Sequence, residues 1–438
     1  MKSTGLCCSW AETDRISGSG KVSARGLIRL ALALCTLVSL LPSCATFPPQ
    51  AHADVATSLR SCGPPEFPYR EGWLGGDAAY SVPLAADRVL WLFGDTFVGE
   101  AEQATRVGSK FIHNSVGVAT CGPDGNWHID YAWGQGSKGT PQAFFSDRDA
   151  KPDPSKLAEV ERFWWLFDGF VHNERLYVGL LEVEKSEPRG PLLMPFRYVG
   201  MKLARVENFQ GPPETWRFDV LPLSHDPVAL PGSAMVVHGD HVYLFAFLDL
   251  DAESYPRMLA RISLSGVDGA VPDESLEQAE SLEYLARDGS WKPGLDANDG
   301  LVLMQDNASE MSVRFHEPSG RWIALYGYPI QANVMPSDLV SIRTAAKLEG
   351  PWSEPRTVHR IVEIQPDGVG GGDPNTFCYA AKEHAELASE GRMLFSYVCN
   401  LYTRAEDDAF AVLRRLLERM DLYRPRTVSL PFPTLVDE

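Results

Sequence analysis

The 438-residue sequence lacks the closely spaced ligand pairs from which zinc sites are usually built. It contains no CxxC pair and no HExxH motif, so neither a structural zinc site nor a zincin is supported. Positive charge is also scarce, because 40 Lys and Arg face 58 Asp and Glu, which gives a formal net charge of −18. A chain this acidic is unsuited to nucleic acid or to an anionic membrane surface. We therefore expect neither as a partner, and we expect no cofactor and no metal.

Long hydrophobic runs are equally scarce, and the main one is LIRLALALCTLVSLL (27–41), followed by LPSC ending at Cys44. Positive charge, an apolar stretch and a small residue before a cysteine are typical of a bacterial lipoprotein signal with lipid on Cys44. The alternative is an ordinary secretory signal cleaved near AHA (51–53). We expect a signal segment at 1–44, a linker at 45–64 and an exported protein, either an outer-membrane lipoprotein or a periplasmic or secreted one. It would meet the membrane only through its lipid anchor.

Export would reduce the eight cysteines of the chain to a small set. Three lie within the signal segment, and Cys44 would carry the lipid. Cys62, Cys121, Cys378 and Cys399 remain, and an oxidising compartment would allow them to form disulfides. The sequence leaves their pairing open.

Helical periodicity is rare as well, and it is convincing only at AFAVLRRLLERM (409–420). The rest of the chain is a series of short alternating β segments separated by Gly, Pro, Asn and Asp, which indicates an all-β fold. Five weakly similar hairpins follow one another, each opening with a polar residue; their first strands begin GGDAAYSV, WLFDGFV, PGSAMVV, NASEMSVRF and DPNTFCYAA. Five such units predict a single five-bladed β-propeller domain over residues 65–438, with a short C-terminal helix.

The polar residue of each unit is the main candidate for function. These residues are Asp77, Asp168, Ser233, Glu310 and either Asn375 or Thr376. The first strand of a propeller blade lines the central channel, so these side chains should converge at one mouth of that channel. Three of the five are carboxylates, which together are costly near an apolar channel unless they have a use. The alternative for each residue alone is that it caps a turn.

Paired carboxylates are the machinery of glycoside hydrolysis, in which one group donates a proton and the other acts as base or nucleophile. A third carboxylate nearby can keep the proton on the acid by repulsion. Aromatic residues beside them, such as Trp165, could stack on sugar rings, although most are expected in the core.

Several segments resemble one known propeller family. These are GGDAAYSVPL with RVLWLFGDTFVG, HNSVGV, PGSAMVV, TAAKLEGPWSEP and YAAKEHAEL with MLFSYVCN, spread over about residues 65–405. They are similar to the five-bladed propellers once grouped as domain of unknown function 4185 and now classed as glycoside hydrolase family 183, the endo-D-arabinanases. The resemblance implies an endo-acting hydrolase of D-arabinan. Related propellers cleave L-arabinan, fructans or agar oligosaccharides, so the fold alone leaves the sugar open.

The resemblance also implies roles for individual residues. Asp77 looks like the general base or nucleophile, and Asp168 looks like another essential acid. Glu310 is our expected proton donor from its blade position, because the longer glutamate side chain can reach the glycosidic oxygen. The third blade departs from the pattern with Ser233 where an acid could stand. Asp95, in the family-like motif GDTF, is the reserve candidate for the acid and otherwise a structural or substrate-contacting residue.

We expect Asp95, His113, Asn114, Trp165 and Ser233 to contact substrate, with a turn role as the alternative for His113 and Asn114. The chain is thus predicted to be a monomeric, exported hydrolase of a furanosidic polysaccharide. A propeller lipoprotein that binds glycan or protein without cleaving it is the alternative, and Ser233 is the residue that favours it.

Overall fold

The computed structural model describes residues 62–146, 161–189, 194–250, 255–264, 282–305, 309–327, 338–364, 373–404 and 406–435. The predicted signal segment and Cys44 lie outside them. Most described residues form antiparallel strands, because apolar β-branched and aromatic residues alternate with polar ones between turn-forming Gly, Pro and Asn.

The strands form five main sheets in chain order. The first contains β1 (Trp73–Ala85), β2 (Arg88–Val98), β3 (Lys110–Ile112), β4 (Ser115–Cys121) and β5 (Trp127–Ala132), in the order β1-β2-β4-β5 with β3 also paired to β2. A separate pair follows, β6 (Gly134–Gln135) and β7 (Pro141–Gln142). The second sheet contains β8 (Arg162–His172), β9 (Arg175–Arg189), β10 (Met194–Val206) and β11 (Phe218–Ser224). The third contains β12 (Ala229–His238), β13 (His241–Leu248), β14 (Arg257–Ser263), β15 (Leu282–Leu285) and β16 (Trp291–Pro293).

The fourth sheet contains β17 (Ser312–His316), β18 (Arg321–Gly327), β19 (Leu339–Ala345) and β20 (Arg356–Arg360). The fifth contains β21 (Thr376–Glu383), β22 (Arg392–Leu401) and β23 (Arg426–Pro431), with the helix α1 (Ala409–Glu418) inserted before β23. Short 3-10 turns occur at Ser137–Gly139, Pro213–Thr215, Glu317–Ser319, Val362–Ile364 and Ala385–Leu387.

The first strands of the five sheets form a closed ring. β1 contacts β8, β8 contacts β12, β12 contacts β17, β17 contacts β21, and β21 returns to β1. Each of these strands is the innermost of its sheet, and its hairpin partner lies next to it. The prediction of an all-β, five-bladed propeller with a short C-terminal helix is therefore confirmed.

The hydrophobic core lies between neighbouring blades. The largest cluster joins blades one to three through residues such as Val82, Phe170 and Leu244, all fully buried. Another cluster joins blades four and five to α1 and includes Val412 and Leu416 of the helix. Packing between blades, rather than within one sheet, thus sets the position of each inner strand around the channel.

The four cysteines left by the predicted export are paired. Cys62 bonds Cys121, which ties the segment before β1 to β4, and Cys378 bonds Cys399 across the β21–β22 pair. The sequence had left this pairing open.

The helix α1 begins after Asp408, whose carboxylate accepts hydrogen bonds from the backbone N–H groups of Phe410 (3.0 Å) and Ala411 (3.4 Å). Such a cap satisfies N–H groups that have no partner inside the helix. The helix lies within the predicted range 409–420. Within the described residues, no helix is both long and apolar enough to cross a membrane.

The polar residues that were expected to open the inner strands lie inside most of them. Asp77, Asp168 and Ser233 each sit at an irregularity of strand pairing, between Gly76 and Ala78, Leu166 and Gly169, and Pro231 and Ala234. A β-bulge of this kind turns a side chain away from its regular direction. We had expected each polar residue to open its strand, but Asp77, Asp168 and Ser233 lie within their strands. Glu310 does precede its strand, β17.

Candidate active site

Asp77 is held by two tyrosine hydroxyls that come from the far end of the chain. Its Oδ2 accepts hydrogen bonds from the hydroxyls of Tyr379 on β21 (2.6 Å) and of Tyr423 beyond α1 (3.1 Å). The backbone around it is irregular, since Ala78 and Ala79 have φ of 65° and 67°. Few L-residues adopt this left-handed conformation, and its cost is typical of functional sites. The strand is thus bent so that the Asp77 carboxyl leaves the sheet and meets the two hydroxyls.

Asp95 lies on the neighbouring strand and has a different set of partners. Its Oδ1 accepts hydrogen bonds from the Trp165 indole Nε1 (2.8 Å) and lies 3.0 Å from Nδ1 of His113. A Cβ atom on Gly94 would come within 2.5 Å of Oδ1 of Asp77, so the Asp77 carboxyl packs directly on this glycine. Asp77 and Asp95 thus lie on adjacent strands of one hairpin. Because Gly94 has no side chain, the Asp77 carboxyl can pack against the strand that carries Asp95.

The proximity of these groups keeps a proton on Asp77. Burial raises the pKa of Asp77 to about 8, repulsion by Asp95 and Glu310 adds to the rise, and the hydroxyls of Tyr379 and Tyr423 oppose it. Removing a carboxylate from water disfavours its charged form, and nearby negative charge does the same. Asp77 therefore keeps its proton near neutral pH.

Glu310 stands immediately before β17 and joins the same group through charge. The Ser309 hydroxyl donates a hydrogen bond to its Oε2. Its negative charge helps to raise the pKa of both Asp77 and Tyr379. The charges of Asp77 and Glu310 thus interact although the two residues come from separate blades, and Asp95 is the third member of the group.

Asp168 is anchored between two blades. Its Oδ1 accepts the backbone N–H of Gly169 and its Oδ2 accepts that of Met235 on β12, both at 2.8 Å. Burial raises its pKa to about 7, while these two bonds and the charge of Lys382 oppose the rise. Both oxygens are engaged with backbone, so Asp168 joins blade two to blade three, and its charge acts on Lys382 and Tyr80.

Two buried cations were missed by the sequence analysis. Lys382 on β21 is 1% exposed; its Nζ donates to the Ala380 carbonyl (3.0 Å) and lies 4.2 Å from the centre of the Tyr80 ring. Burial lowers its pKa to about 8, opposed by the charges of Glu310, Asp77 and Asp168. Arg257 is fully buried, and burial lowers its pKa to about 10. A single lysine in the apolar stretch FCYAAKE was the available signal for Lys382.

Two of the expected substrate contacts are occupied with internal bonds. The Ser233 hydroxyl is fully buried and donates to the Phe245 carbonyl at 2.9 Å. Asn114 is also fully buried; its amide donates to the carbonyls of Phe145 and Trp164 and accepts the N–H of Phe145. These bonds favour a structural role for both residues.

His113 and Trp165 remain at the site and orient Asp95. The imidazole of His113 stacks on Phe163 with ring centres 3.6 Å apart, and its Nε2 lies 3.6 Å from Glu161. Trp165 is partly buried against Phe196 while its N–H points at Asp95.

A cavity of about 890 Å³ extends along the channel from Asp168 and Lys382. Its other walls come from later positions of the inner strands, such as Ser81, Val236 and His316, so it leads toward the opposite end of the ring. Asp77, Asp95 and Glu310 do not line it. These three acids therefore lie outside the cavity. Lys382 lines the cavity, and its charge interacts with Asp77 and Glu310. Nowhere in the described residues do three or more His, Cys, Asp or Glu side chains form a group that could hold a metal ion.

The fold is a five-bladed β-propeller in which the charges of Asp77, Asp95 and Glu310, from the first and fourth blades, interact. The chain belongs to the family described as domain of unknown function DUF5005, whose model matches residues 67–430. No match was found among curated proteins.

Several solved structures are similar to this chain over most of its length. A protein from Bacteroides ovatus described as a putative hydrolase is 18% identical, with a TM-score of 0.57 over 82% of this chain and 86% of that one. An endo-arabinase from Bacteroides thetaiotaomicron is 11% identical, with a TM-score of 0.40 over 84% and 99% of the two chains. The α-L-arabinofuranosidase of Podospora anserina is 12% identical, with a TM-score of 0.38 over 85% and 99%. At 18% identity, the likeness to the Bacteroides ovatus protein concerns the fold alone.

Proposed function

We propose that this protein is an exported glycoside hydrolase that cleaves a furanosidic polysaccharide, with internal bonds of D-arabinan as its substrate. The observation that carries the proposal is the pairing of Asp77, which keeps a proton, with Asp95, which accepts hydrogen bonds from Trp165 and lies beside His113. Glycosidases need one protonated and one ionised carboxyl group in neighbouring positions. The choice of D-arabinan and of internal cleavage rests on the sequence resemblance to the endo-D-arabinanases of family 183.

The environments of the two aspartates suggest their roles. Asp77 transfers its proton to the glycosidic oxygen as the bond from that oxygen to the anomeric carbon breaks. Asp95, oriented by Trp165 and His113, acts on the anomeric carbon either directly or through a water molecule. This reverses the role that the resemblance gave to Asp77, and it replaces Glu310 as proton donor, because a carboxyl that keeps its proton is suited to donate it. Glu310 then contributes repulsion that keeps the proton on Asp77.

The proposal is tested by incubating purified protein with D-arabinan and counting new reducing ends. We expect Asp77→Asn and Asp95→Asn each to lower the rate by at least about 10²-fold, the scale of a lost acid–base group. Asp130→Asn, which changes an exposed aspartate on β5 of the same blade, is the matched control and should leave the rate unchanged.

An aryl furanoside separates the two roles, because its phenolate leaves with little protonation. Asp77→Asn should be much less impaired on this substrate than on arabinan, whereas Asp95→Asn should be slow on both. Equal impairment of Asp77→Asn on both substrates would remove it as the acid and return Glu310 to that position. Binding of arabinan without new reducing ends would support the alternative, a non-catalytic glycan-binding propeller.

Export with a lipid anchor on Cys44 is the second part of the proposal. It is supported by the charge and apolar pattern before LPSC and by the two disulfides, which form and persist in oxidising compartments.

A further inference from the structure

The chain leaves the propeller after β22, forms α1, and returns through residues 419–424, which we call the C-terminal strap. Tyr423 of this strap is 3% exposed, and its ring packs edge-on against Phe97 with centres 5.1 Å apart. Its hydroxyl is the donor that lies 3.1 Å from Oδ2 of Asp77. One of the two hydroxyls on the proposed acid thus comes from outside the inner strands.

The strap is fixed by one fully buried guanidinium, that of Arg106, in the loop after β2. Its Nη2 donates to the carbonyl of Leu422, the residue before Tyr423, at 2.5 Å and to the Tyr69 hydroxyl at 3.2 Å. Its Nη1 donates to the carbonyls of Leu416 (3.0 Å) and Arg419 (2.9 Å).

The remaining donor of Arg106, Nε, reaches the carbonyl of Leu74 on β1 at 2.7 Å, three positions before Asp77. All five N–H groups of the side chain are therefore used, which only arginine can do with this geometry. One side chain ties the strand that carries Asp77 to the strap that carries its hydroxyl donor.

The approach of the strap to β1 is close enough to require a glycine. Gly75 has φ of +120°, and a Cβ there would lie 2.2 Å from the Tyr423 carbonyl oxygen. On its other side the strap is held by the Tyr423 N–H, which donates to the Cys399 carbonyl of β22 at 2.7 Å. The position of Tyr423 is thus set by backbone contacts on both sides.

We propose that Arg106 is a positioning residue, which acts through the C-terminal strap to hold the Tyr423 hydroxyl on Asp77 and so stabilise the ionised form of that carboxyl. The inference rests on the proposed function for its catalytic meaning. A hydroxyl that donates to a carboxylate favours the charged form, so it opposes burial and the repulsion from Asp95 and Glu310. Tyr379 and the ammonium of Lys382 also interact with Asp77, and both residues belong to β21 rather than to the strap.

The expected result is a rise in the pH at which Asp77 ionises. Tyr423→Phe, which keeps the ring, should raise this pH by about one unit, the scale of a lost hydrogen bond to a charged group. Arg106→Lys, which keeps the charge but not the five donors, should raise it in the same direction. The double variant should shift no further than Tyr423→Phe alone, because Arg106 acts through Tyr423.

The measurement does not need enzymatic activity. In each background, the free energy of unfolding is measured against pH with and without Asp77→Asn. The difference between the two changes from the pKa of Asp77 in the unfolded chain up to its pKa in the native state, so its midpoint rises when the native-state pKa rises. Tyr397→Phe is the matched control, because its hydroxyl donates to a different buried carboxylate, Glu363, at 2.8 Å. This control should leave the midpoint at the wild-type value.

An unchanged midpoint in Tyr423→Phe would overturn the proposal, and an unchanged midpoint in folded Arg106→Lys would overturn the role of Arg106. If Arg106→Lys does not fold, Gly75→Ala takes its place, since its methyl group displaces the same strap. If the protein releases no reducing ends from arabinan but the midpoints move, the proposed function fails while the positioning role stands.

Discussion

Three carboxyl groups retain protons at unusually high pH, and this should be visible in the stability of the protein. Burial raises the pKa of Asp77 to about 8 and the pKa values of Asp168 and Glu386 to about 7. In the unfolded chain these groups are already ionised near pH 4. Between pH 6.5 and 8 the native state therefore binds more protons than the unfolded state, and the free energy of unfolding falls as pH rises.

Other buried groups do not cancel this fall within that window. Burial lowers the pKa of His384 to about 3, so its opposing contribution is confined to pH below about 6.5. Lys382, with a pKa lowered to about 8, opposes the fall only above that pH. The melting temperature from pH 6.5 to 8 should decrease, and it should decrease less in Asp77→Asn. A flat profile in the wild-type protein would contradict the assignment of protons to these carboxyls.

At the level of single residues, the sequence offered the acids as candidates but not the side chains that contact them. Asp77, Asp168 and Glu310 became candidates because they recur at similar places in a repeat. Tyr423 and Lys382 have no such regularity, and their roles depend on a ring closure that joins residues more than 300 positions apart. The sequence pattern thus drew attention to Asp77 but gave no sign of the side chains that affect its ionisation.

Among the elements, the inner strands matched their predicted order but not their predicted geometry. Alternation of apolar residues located each of the five hairpins. In the sequence, the irregular pairing around the polar residues is indicated only weakly, by small residues beside them such as Gly76, Ala78 and Gly169. Small residues serve many purposes, so a bulge could not be distinguished from a turn.

The connection between β4 and β8 gives a prediction at the same scale. Asn114→Ala should remove the donors to two buried carbonyls and the acceptor of one buried N–H, and so lower the free energy of unfolding by about 2–3 kcal/mol. Asn208→Ala, which removes a similar set of bonds from a partly exposed turn, should cost less. Denaturant unfolding measures both.

Kinetics on arabinan then decide between the two roles considered for Asn114. A structural role leaves KM near its wild-type value at temperatures where the variant is folded. A raised KM with unchanged stability would instead make Asn114 a substrate contact.

For the whole molecule, repeat counting was sufficient to predict five blades, because each blade must bury its faces against neighbours of the same size. The same reasoning did not predict that the fifth blade takes its outer strand, β23, from beyond α1. The arrangement depends on which strand the chain pairs with after α1. The sequence of the helix does not indicate that partner.

The location of the molecule in the cell is tested by Cys44→Ala. If Cys44 carries lipid, the variant should move from the membrane fraction to the soluble fraction, because a lipid chain supplies the apolar area that holds such a protein on a bilayer. Fractionation of wild type and variant, with Cys8→Ala as a control upstream of the apolar run, measures this. The same distribution for all three proteins would leave only a plain secretory signal.

Because synthesis proceeds from the N-terminus, the hydrogen bond between Asp77 and Tyr423 can form only late in translation. The two residues are 346 positions apart, so a ribosome adds the aspartate long before the tyrosine that holds it. For most of its translation the nascent chain carries the aspartate without that hydroxyl. Chains that are broken off early therefore never assemble the complete centre. Under the proposed activity, only molecules translated beyond Tyr423 would be fully competent to cut a polysaccharide.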